Sequence, residues 1–367
     1  MRFVHTADWQ IGMKAVHLGE TAETARRARF QSARRIIEIA KEQRADFVLL
    51  AGDTFEHHGI ERAKVREIAN LLATAHCPVY IIPGNHDPAG SGSVWEDECW
   101  ARSVHVRVLL AAEAVEAPGA TLYPCPALSR TSAADPTAWI AGQTAGGIRI
   151  GIAHGSVSGH PDMEDCFPIP SDAACRLGLD YLAVGHYHST AFYPGADGAA
   201  RMAYCGTHEP TGFQERDSGN LLVVEIAGPG APPVIQKLRT RVLDWHGAVH
   251  PIRGSADLAK LNEELEAISS PEQTLVQCTI SGTADGIDEE AVERIRELVE
   301  SRFLYGRFEC GELRIEGNAD EWIDALPPGY LQETARKLRA DARAEPPDEV
   351  AAGALAEFRR MWREVRA

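Results

Sequence analysis

The chain has 367 residues, of which 44% are hydrophobic and 25% are charged, an ordinary globular composition that allows one large domain plus a smaller one, or two to three domains in all. No apolar stretch of about eighteen residues and no leader-like N-terminus occur, so we expect a cytoplasmic protein without a membrane span. The eight cysteines include no C-x-x-C pair, which argues against a zinc ribbon or a disulfide framework.

The net charge of −16 weakens the case for a nucleic-acid partner, because such proteins usually present a basic surface. The acidity is concentrated near the C-terminus: residues 246–367 hold 25 acidic and 15 basic side chains. Carboxylates that bind a dication would also have their charge cancelled. The net charge therefore does not exclude nucleic acid.

Five short apolar runs in the first half of the chain each end in a polar cluster. They read "MRFVHTAD", "DFVLLAGD", "CPVYIIPGNHD", "GIRIGIAHG" and "DYLAVGHYH". Short runs rich in Val and Ile predict buried strands, and apolar residues at helical spacing in 21–45 and 60–75 predict helices between the first three. This order predicts an α/β layered core, in which ligands bind beyond the carboxyl ends of the strands.

The character of the sequence changes after about residue 200. Two more strand-like runs, "RMAYCG" and "GNLLVVEIAG", precede a break at "GPGAPP", and a mixture of helical and extended segments follows. We predict three parts: a core over 1–240, an α+β capping domain over 241–318, and a helical C-terminal segment over 319–367. An apolar stripe at helical spacing lies on the last helix and consists of Leu355, Phe358, Trp362 and Val365.

The polar clusters supply side chains that commonly bind metals. They are Asp8, Gln10, Asp53, Asn85, His154, His186 and His188. Carboxylate, amide and imidazole groups together suit Mn, Fe or Zn, and a carboxylate at a strand end can bridge two cations. Two neighbouring metals clamp a phosphate and activate a water, so the predicted chemistry is phosphoester hydrolysis.

The ordered motifs D-x-Q, "GD", "GNHD", H and "GHYH" resemble the calcineurin-like metallophosphoesterase superfamily, whose pattern is D-x-H, GD, GNH[DE], H, GHxH. Within it, "HTADWQIG", "AGDTFE", "IPGNHD", "VGHYHS" and "YCGTHEPTGFQE" are most similar to the SbcD-type DNA-repair exonuclease subunit. The motifs cover about residues 1–215. The resemblance implies a layered core of β-sheets flanked by helices, with a smaller capping domain and a helical tail.

The resemblance also implies a role for each motif residue. The first of two divalent metals, most often manganese, would be held by Asp8, Gln10, Asp53 and His188. The second would be held by Asp53, Asn85, His154 and His186. The imidazole of His86 would stabilise or protonate the leaving oxygen, oriented by Asp87.

Gln10 departs from the pattern, because the superfamily has histidine at this position. An amide oxygen is a weaker donor than imidazole for transition metals, so we expect the first site to bind its metal more loosely or to favour a harder ion.

Three functions remain open from the sequence. The leading one is a DNA exonuclease that works with an SbcC-type coiled-coil ATPase; additional endonuclease action and a homodimer stay open. The second is a phosphodiesterase or phosphatase for nucleotides or other small esters, although "GDTFEHHG" differs from the "GDxxDRG" of protein phosphatases. The third is a catalytically weakened scaffold subunit, which only Gln10 supports.

Two further features have alternative interpretations. The apolar stripe on the last helix either binds the ATPase partner or docks on its own domain. A basic run on the first predicted helix is either a solvated face or a phosphate contact. It consists of Arg26, Arg27, Arg29, Arg34 and Arg35.

Overall fold

A computed structural model describes residues 1–143, 146–163, 165–195, 197–285, 289–316, 319–344 and 347–366. The chain forms two compact units. Unit 1 comprises Met1–Gly247, Ser270–Gln277 and Arg302–Gly306, and unit 2 comprises Ala248–Ser269, Cys278–Ser301 and Arg307–Ala367. In this division the predicted third segment, 319–367, belongs to unit 2. None of the helices in the described ranges has the length and apolar character needed to cross a bilayer.

The regular elements of the first 240 residues are, in chain order, β1 (Arg2–Thr6), α1 (Ala22–Glu42), β2 (Phe47–Ala51), α2 (Arg62–Leu72), β3 (Val79–Ile82), β4 (Val106–Val108), β5 (Val115–Ala117), β6 (Ala120–Cys125), β7 (Ile148–His154), α3 (Ala173–Arg176), β8 (Tyr181–Gly185), β9 (Ala191–Pro194), β10 (Ala200–Tyr204), β11 (Asn220–Glu225) and β12 (Val234–Arg239). The predicted α/β layered core is confirmed. Strands β4, β5, β6 and β9 were not predicted; β4 and β5 have only three residues each, with a charged side chain at the centre.

Unit 1 contains two six-stranded sheets. Their strand orders are β12-β11-β1-β2-β3-β4 and β5-β6-β7-β8-β10-β9. Strands β1 to β4 are parallel to one another, and so are β6, β7, β8 and β10. Because parallel strands end at the same edge of a sheet, the segments that follow β1, β2 and β3 lie side by side, as do those that follow β7 and β8.

The two sheets of unit 1 face each other across an apolar core. Phe3, Phe47 and Ile82 of the first sheet pack in one cluster with Ile150 and Tyr181 of the second. A second cluster joins the outer face of the first sheet to α1 and α2, and a third lies on the outer face of the second sheet, where α3 packs. Every strand that delivers a predicted ligand is thus buried on both faces, which explains its continuous apolar sequence.

The remaining elements are β13 (Asp244–Pro251), α4 (Ser255–Glu266), β14 (Thr274–Asp285), α5 (Glu289–Arg302), β15 (Tyr305–Glu316), α6 (Ala319–Asp324), α7 (Tyr330–Ala342) and α8 (Glu349–Arg366). The strands form a three-stranded sheet in the order β13-β14-β15. Helix α4 buries Leu258, Leu261 and Leu265, whose spacing places them on one face. Residues 244–316 thus combine strands with helices, as predicted for the α+β part, and the helices from Ala319 onward match the predicted helical character of the C-terminal segment. The bounds of the two parts stay a prediction.

The apolar stripe on α8 packs within unit 2. Leu355, Phe358 and Trp362 lie against a buried cluster formed by α6, the turn after it and α7. The ring of Phe358 meets that of Trp322 edge to face, with 5.9 Å between centroids. The side chain of Val365 lies outside the described residues. These contacts favour docking on the same chain, and partner binding by the stripe stays a prediction.

Candidate metal centre

The predicted ligands meet at the carboxyl ends of the strands of unit 1. Asp8 follows β1, Asp53 follows β2, and His154 is the last residue of β7. One ligand atom from each of these three residues lies within 4.8 Å of the other two, and all three side chains are buried. The facing edges of the two sheets therefore bring together groups that are about 100 residues apart in sequence.

Asn85, His154 and His186 form one side of the centre. The Oδ1 atom of Asn85 lies 2.9 Å from His154 Nε2 and 2.9 Å from His186 Nδ1. His154 Nε2 also lies 3.4 Å from Asp53 Oδ2. The other ring nitrogen of His154, Nδ1, is 2.9 Å from the carbonyl oxygen of Ala51, to which it donates. That bond leaves Nε2 of the neutral ring as the atom with a free lone pair, directed at the centre.

The charges of these groups show that the centre favours a cation. Burial would lower the pKa of His154, but the carboxylates of Asp53 and Asp8 outweigh it and raise the pKa to about 9. Burial raises the pKa of Asp8 to about 6, while the pKa of Asp53 is lowered because His154 outweighs the effect of burial. The pKa of His186 falls to about 3 through burial and the neighbouring His154. Two buried carboxylates beside imidazoles, which bind metals in their neutral form, are a donor set that fits borderline divalent metals.

Gln10 contacts the same carboxylate oxygen as His154. Its Nε2 donates to Asp53 Oδ2 at 3.0 Å, and its side chain is almost completely buried. In the described part of the chain, no hydrogen-bond partner reaches its Oε1. Asp53 thus contacts one residue from each half of the predicted ligand set, and an unsatisfied buried oxygen fits the presence of a cation.

His188 is held by two residues that the sequence analysis did not assign. Its Nδ1 lies 2.9 Å from Glu215 Oε1 and 3.0 Å from the hydroxyl oxygen of Thr211, and that hydroxyl also donates to Glu215. Burial opposes a raised pKa of His188, but the bond to Glu215 outweighs it. A carboxylate on one ring nitrogen fixes the imidazole and makes the other nitrogen a stronger donor to a metal. Glu215 ends the motif "YCGTHEPTGFQE", which was the available signal.

The structure corrects the predicted role of Asp87. Its carboxylate accepts the backbone N–H groups of Gly84 at 2.7 Å and of Phe55 at 2.9 Å, and it does not bond to His86. The ring of His86 instead has its Nδ1 3.1 Å from the carbonyl oxygen of Glu56. Burial and the neighbouring Asp53 raise the pKa of Asp87 to about 8. Asp87 therefore ties together the two loops that carry Asp53 and His86, and Glu56 orients the imidazole.

Arg29 was predicted to belong to a solvated or phosphate-binding basic run, and this is wrong for that residue. Its side chain is 2% exposed, and its nitrogens donate to the carbonyl oxygens of Trp9 (2.7 Å), Glu209 (2.8 Å) and Pro210 (3.1 Å). It also donates to Thr207 Oγ1 at 3.1 Å. Arg29 thus fastens the segment after β1, which carries Asp8, to the segment after β10.

The backbone at the ligands has an uncommon conformation. Asp8, Gln10, Asp53 and His186 have positive φ angles of 54°, 44°, 50° and 110°. Such angles are costly in residues with a Cβ atom and persist only where surrounding contacts enforce them, often at functional sites. Gly52 shows how close the packing is, because at its φ of 90° a Cβ atom would lie 2.2 Å from His154 Nδ1.

Two facing sheets with carboxylate, amide and imidazole ligands at their strand ends define a metallophosphoesterase. The family model described as calcineurin-like phosphoesterase matches residues 1–190, and the chain belongs to this family. The superfamily predicted from the motifs is confirmed.

Two individual proteins are similar to this chain. The "Uncharacterized metallophosphoesterase YhaO" of Bacillus subtilis (strain 168) is 22% identical over 357 residues, which cover 94% of this chain and 79% of that protein. The crystal structure of TT1561 of Thermus thermophilus is similar with a TM-score of 0.44 and 11% identity, covering 65% of this chain and 99% of that one.

Proposed function

We propose that the protein is a manganese-dependent DNA nuclease that hydrolyses phosphodiester bonds in DNA repair, as SbcD-type subunits do. The observation that supports a two-metal centre is the position of Asp53, whose Oδ2 lies 3.0 Å from Gln10 Nε2 and 3.4 Å from His154 Nε2. Each of these residues belongs to a different half of the predicted ligand set. A shared carboxylate between two halves is the arrangement that holds two dications close together.

The residues present fit two divalent ions. Asp8, Gln10 and His188 would hold one, Asn85, His154 and His186 would hold the other, and Asp53 would contact both. When bound, such a pair polarises the phosphoryl group and supplies a nucleophile at neutral pH. The protein itself orients the ligands through the carbonyl of Ala51 behind His154 and the carboxylate of Glu215 behind His188.

His86 is placed to act on the leaving oxygen. Its side chain is 42% exposed, and Nδ1 donates to the carbonyl of Glu56, so Nε2 remains to give a proton to a substrate. The carboxylate of Glu56 lies 3.8 Å from the same nitrogen, Nδ1. A histidine positioned in this way is the side chain that most often transfers a proton in catalysis.

Two exposed arginines beside the centre support a polyanionic substrate. Arg216 follows Glu215, and its backbone N–H donates to Ser189 Oγ at 3.2 Å. Arg130 lies three residues after Ala127, whose N–H donates to the carbonyl of Pro83 in the "PGNHD" loop at 3.1 Å. Both side chains are exposed, and within the described ranges neither forms an ion pair. Exposed cations of this kind bind the phosphate backbone of nucleic acids without regard to sequence.

The proposal includes a cytoplasmic complex with an SbcC-type ATPase and a possible homodimer. Exposed apolar side chains on α7 and α8 support a partner surface in unit 2. They are Tyr330 (83% exposed), Leu331 (43%), Val350 (81%) and Met361 (47%). Exposed apolar side chains of this size are the kind that a partner protein would cover.

A comparison of two substrates tests the proposal. Purified protein with Mn²⁺ is given linear duplex or single-stranded DNA, and separately bis(4-nitrophenyl) phosphate. We expect cleavage of both. The double variant Arg130→Ala/Arg216→Ala should lose cleavage of DNA but keep that of the small ester, whereas Arg102→Ala, an exposed arginine elsewhere, should match the wild type.

The other outcomes separate the alternatives. Cleavage of the small ester without any cleavage of DNA would refute the nuclease and favour the small-ester phosphodiesterase. Inactivity on both substrates, with retention of a coiled-coil ATPase in a pull-down, would favour the scaffold subunit.

A further inference from the structure

The orientation of the Gln10 amide is fixed by its neighbour. Nε2 donates to Asp53 Oδ2 at 3.0 Å, and the other oxygen of Asp53 accepts the backbone N–H of His86 at 2.8 Å. Turning the amide round would place its oxygen against a carboxylate oxygen, and two acceptors repel each other. Oε1 therefore points away from Asp53 into a buried position where the described residues offer no hydrogen-bond donor.

The cationic side chains nearby do not donate a hydrogen bond to Gln10 Oε1. The guanidinium of Arg29 donates to backbone carbonyls and to Thr207. The Nδ1 atom of His188 is taken up by Glu215. A buried oxygen without a donor, in a centre that contains two carboxylates, marks a position where positive charge is missing.

We propose that Gln10 Oε1 is a metal ligand that makes the first half of the centre selective for hard dications, Mn²⁺ and Mg²⁺, over Zn²⁺. An amide oxygen is a hard donor, whereas the imidazole that the family pattern has at this position also binds softer metals well. The inference rests on the metal centre of the proposed function but does not depend on DNA as the substrate.

The same contacts predict that the two halves differ in affinity. The first half has an amide oxygen, that of Gln10, where the family pattern has an imidazole. The other half keeps two imidazoles, those of His154 and His186, beside Asn85. The first half has one imidazole, that of His188. The bond of His188 to Glu215 strengthens this ring as a donor and offsets part of the lower metal affinity. The centre thus binds one dication tightly and one weakly.

Metal titration of the full-length protein tests this inference. The protein is freed of metal with a chelator and titrated with Mn²⁺, followed by the electron paramagnetic resonance of free Mn²⁺, and with Zn²⁺ in competition with a dye. We expect two Mn²⁺ ions whose affinities differ by about tenfold or more. Gln10→His should tighten Zn²⁺ binding at the weaker half by about tenfold with a smaller change for Mn²⁺, and Gln10→Leu should lower the stoichiometry to one.

Gln31 supplies a matched control, because it is exposed on α1 and allows the same substitutions. Gln31→His and Gln31→Leu should bind metals as the wild type does. Gln10→Glu keeps the ligand oxygen and removes the N–H donor, and it should still bind two Mn²⁺ ions even if Gln10→Leu fails to fold.

Two results would overturn the inference: two Mn²⁺ ions at wild-type affinity in Gln10→Leu, or an unchanged preference between Mn²⁺ and Zn²⁺ in Gln10→His. Loss of the second Mn²⁺ in Gln10→Glu would also overturn it, because the ligand oxygen is still present. Cleavage of DNA, measured on the same preparations, separates this inference from the proposed function. A wild type with the expected metal binding but no cleavage of DNA would refute the nuclease alone.

Discussion

Replacing Arg29 by methionine tests how the fold positions Asp8. Methionine retains much of the apolar stem but none of the nitrogens that donate to Trp9, Glu209 and Pro210. The single hydroxyl proton of Thr207 can serve the carbonyl oxygen of Asp8, which lies 2.7 Å away. Among the described residues, the carbonyls of Trp9, Glu209 and Pro210 then lose the donor that Arg29 supplies.

The magnitude follows from these three carbonyls. A buried polar group left without a partner costs about 1–3 kcal/mol, so three of them cost about 3–9 kcal/mol. Burial lowers the pKa of Arg29, which shows that its charge is itself destabilised in the fold, and removing that charge offsets part of the loss. We therefore expect the free energy of unfolding to fall by about 3–6 kcal/mol.

Urea denaturation without metal, followed by tryptophan fluorescence, measures this difference. The matched control is Arg27→Met on the same helix, where the side chain is 70% exposed and pairs with Glu23 at 3.6 Å. An exposed pair of this kind contributes about 0.5 kcal/mol or less. If the two variants lose the same stability, Arg29 does not fasten the segment after β1, and the assignment of its contacts is refuted.

Three further predictions concern other residues. His86→Ala should lower turnover by about 10²–10⁴-fold with unchanged metal content, because its ring acts on the leaving group; loss of metal, measured by mass spectrometry, would instead make it a ligand. Glu215→Gln should weaken metal binding by about 10–100-fold, because the ring of His188 loses its carboxylate partner; equal affinities in a chelator competition would contradict this. Burial lowers the pKa of His5 to about 3, so below pH 6.5 the unfolded state takes up a proton that the folded state does not, and stability falls with pH. Between pH 7.5 and 5.5 the wild type should lose about 1.4 kcal/mol more than His5→Asn in urea titrations; equal losses in the two proteins would contradict the assignment to His5.

The ligand positions could be predicted because strands and ligands are coupled in the sequence. A strand buried on both faces reads as a continuous apolar run, and the first polar residue after it must lie at the carboxyl edge of the sheet. Asp8, Asp53 and His154 each follow or end such a run, and the structure brings these three together. No knowledge of side-chain packing was needed for this step.

The supporting residues could not be predicted in the same way. Arg29 is one of five arginines on α1, and helical spacing does not tell which of them meets carbonyl oxygens almost 200 residues away. Glu215 lies in a loop, and only the tertiary structure brings it to His188. Asp87 was assigned to His86 because the two are adjacent in sequence, but the backbone directs its carboxylate to Gly84 and Phe55.

The charge at the centre links these supporting residues to the net charge of −16. Arg29 holds the segment that carries Asp8, because its guanidinium donates to the backbone carbonyl oxygens of Asp8 and Trp9. On the side of the ligands, positive charge is supplied by protonation of His154, whose pKa is raised to about 9, or by a divalent ion. Because the guanidinium of Arg29 is bonded to backbone oxygens, it does not bind the carboxylates of Asp8 and Asp53. A metal would balance the charge of these carboxylates. At this centre, therefore, the negative charge of the chain favours the binding of a cation.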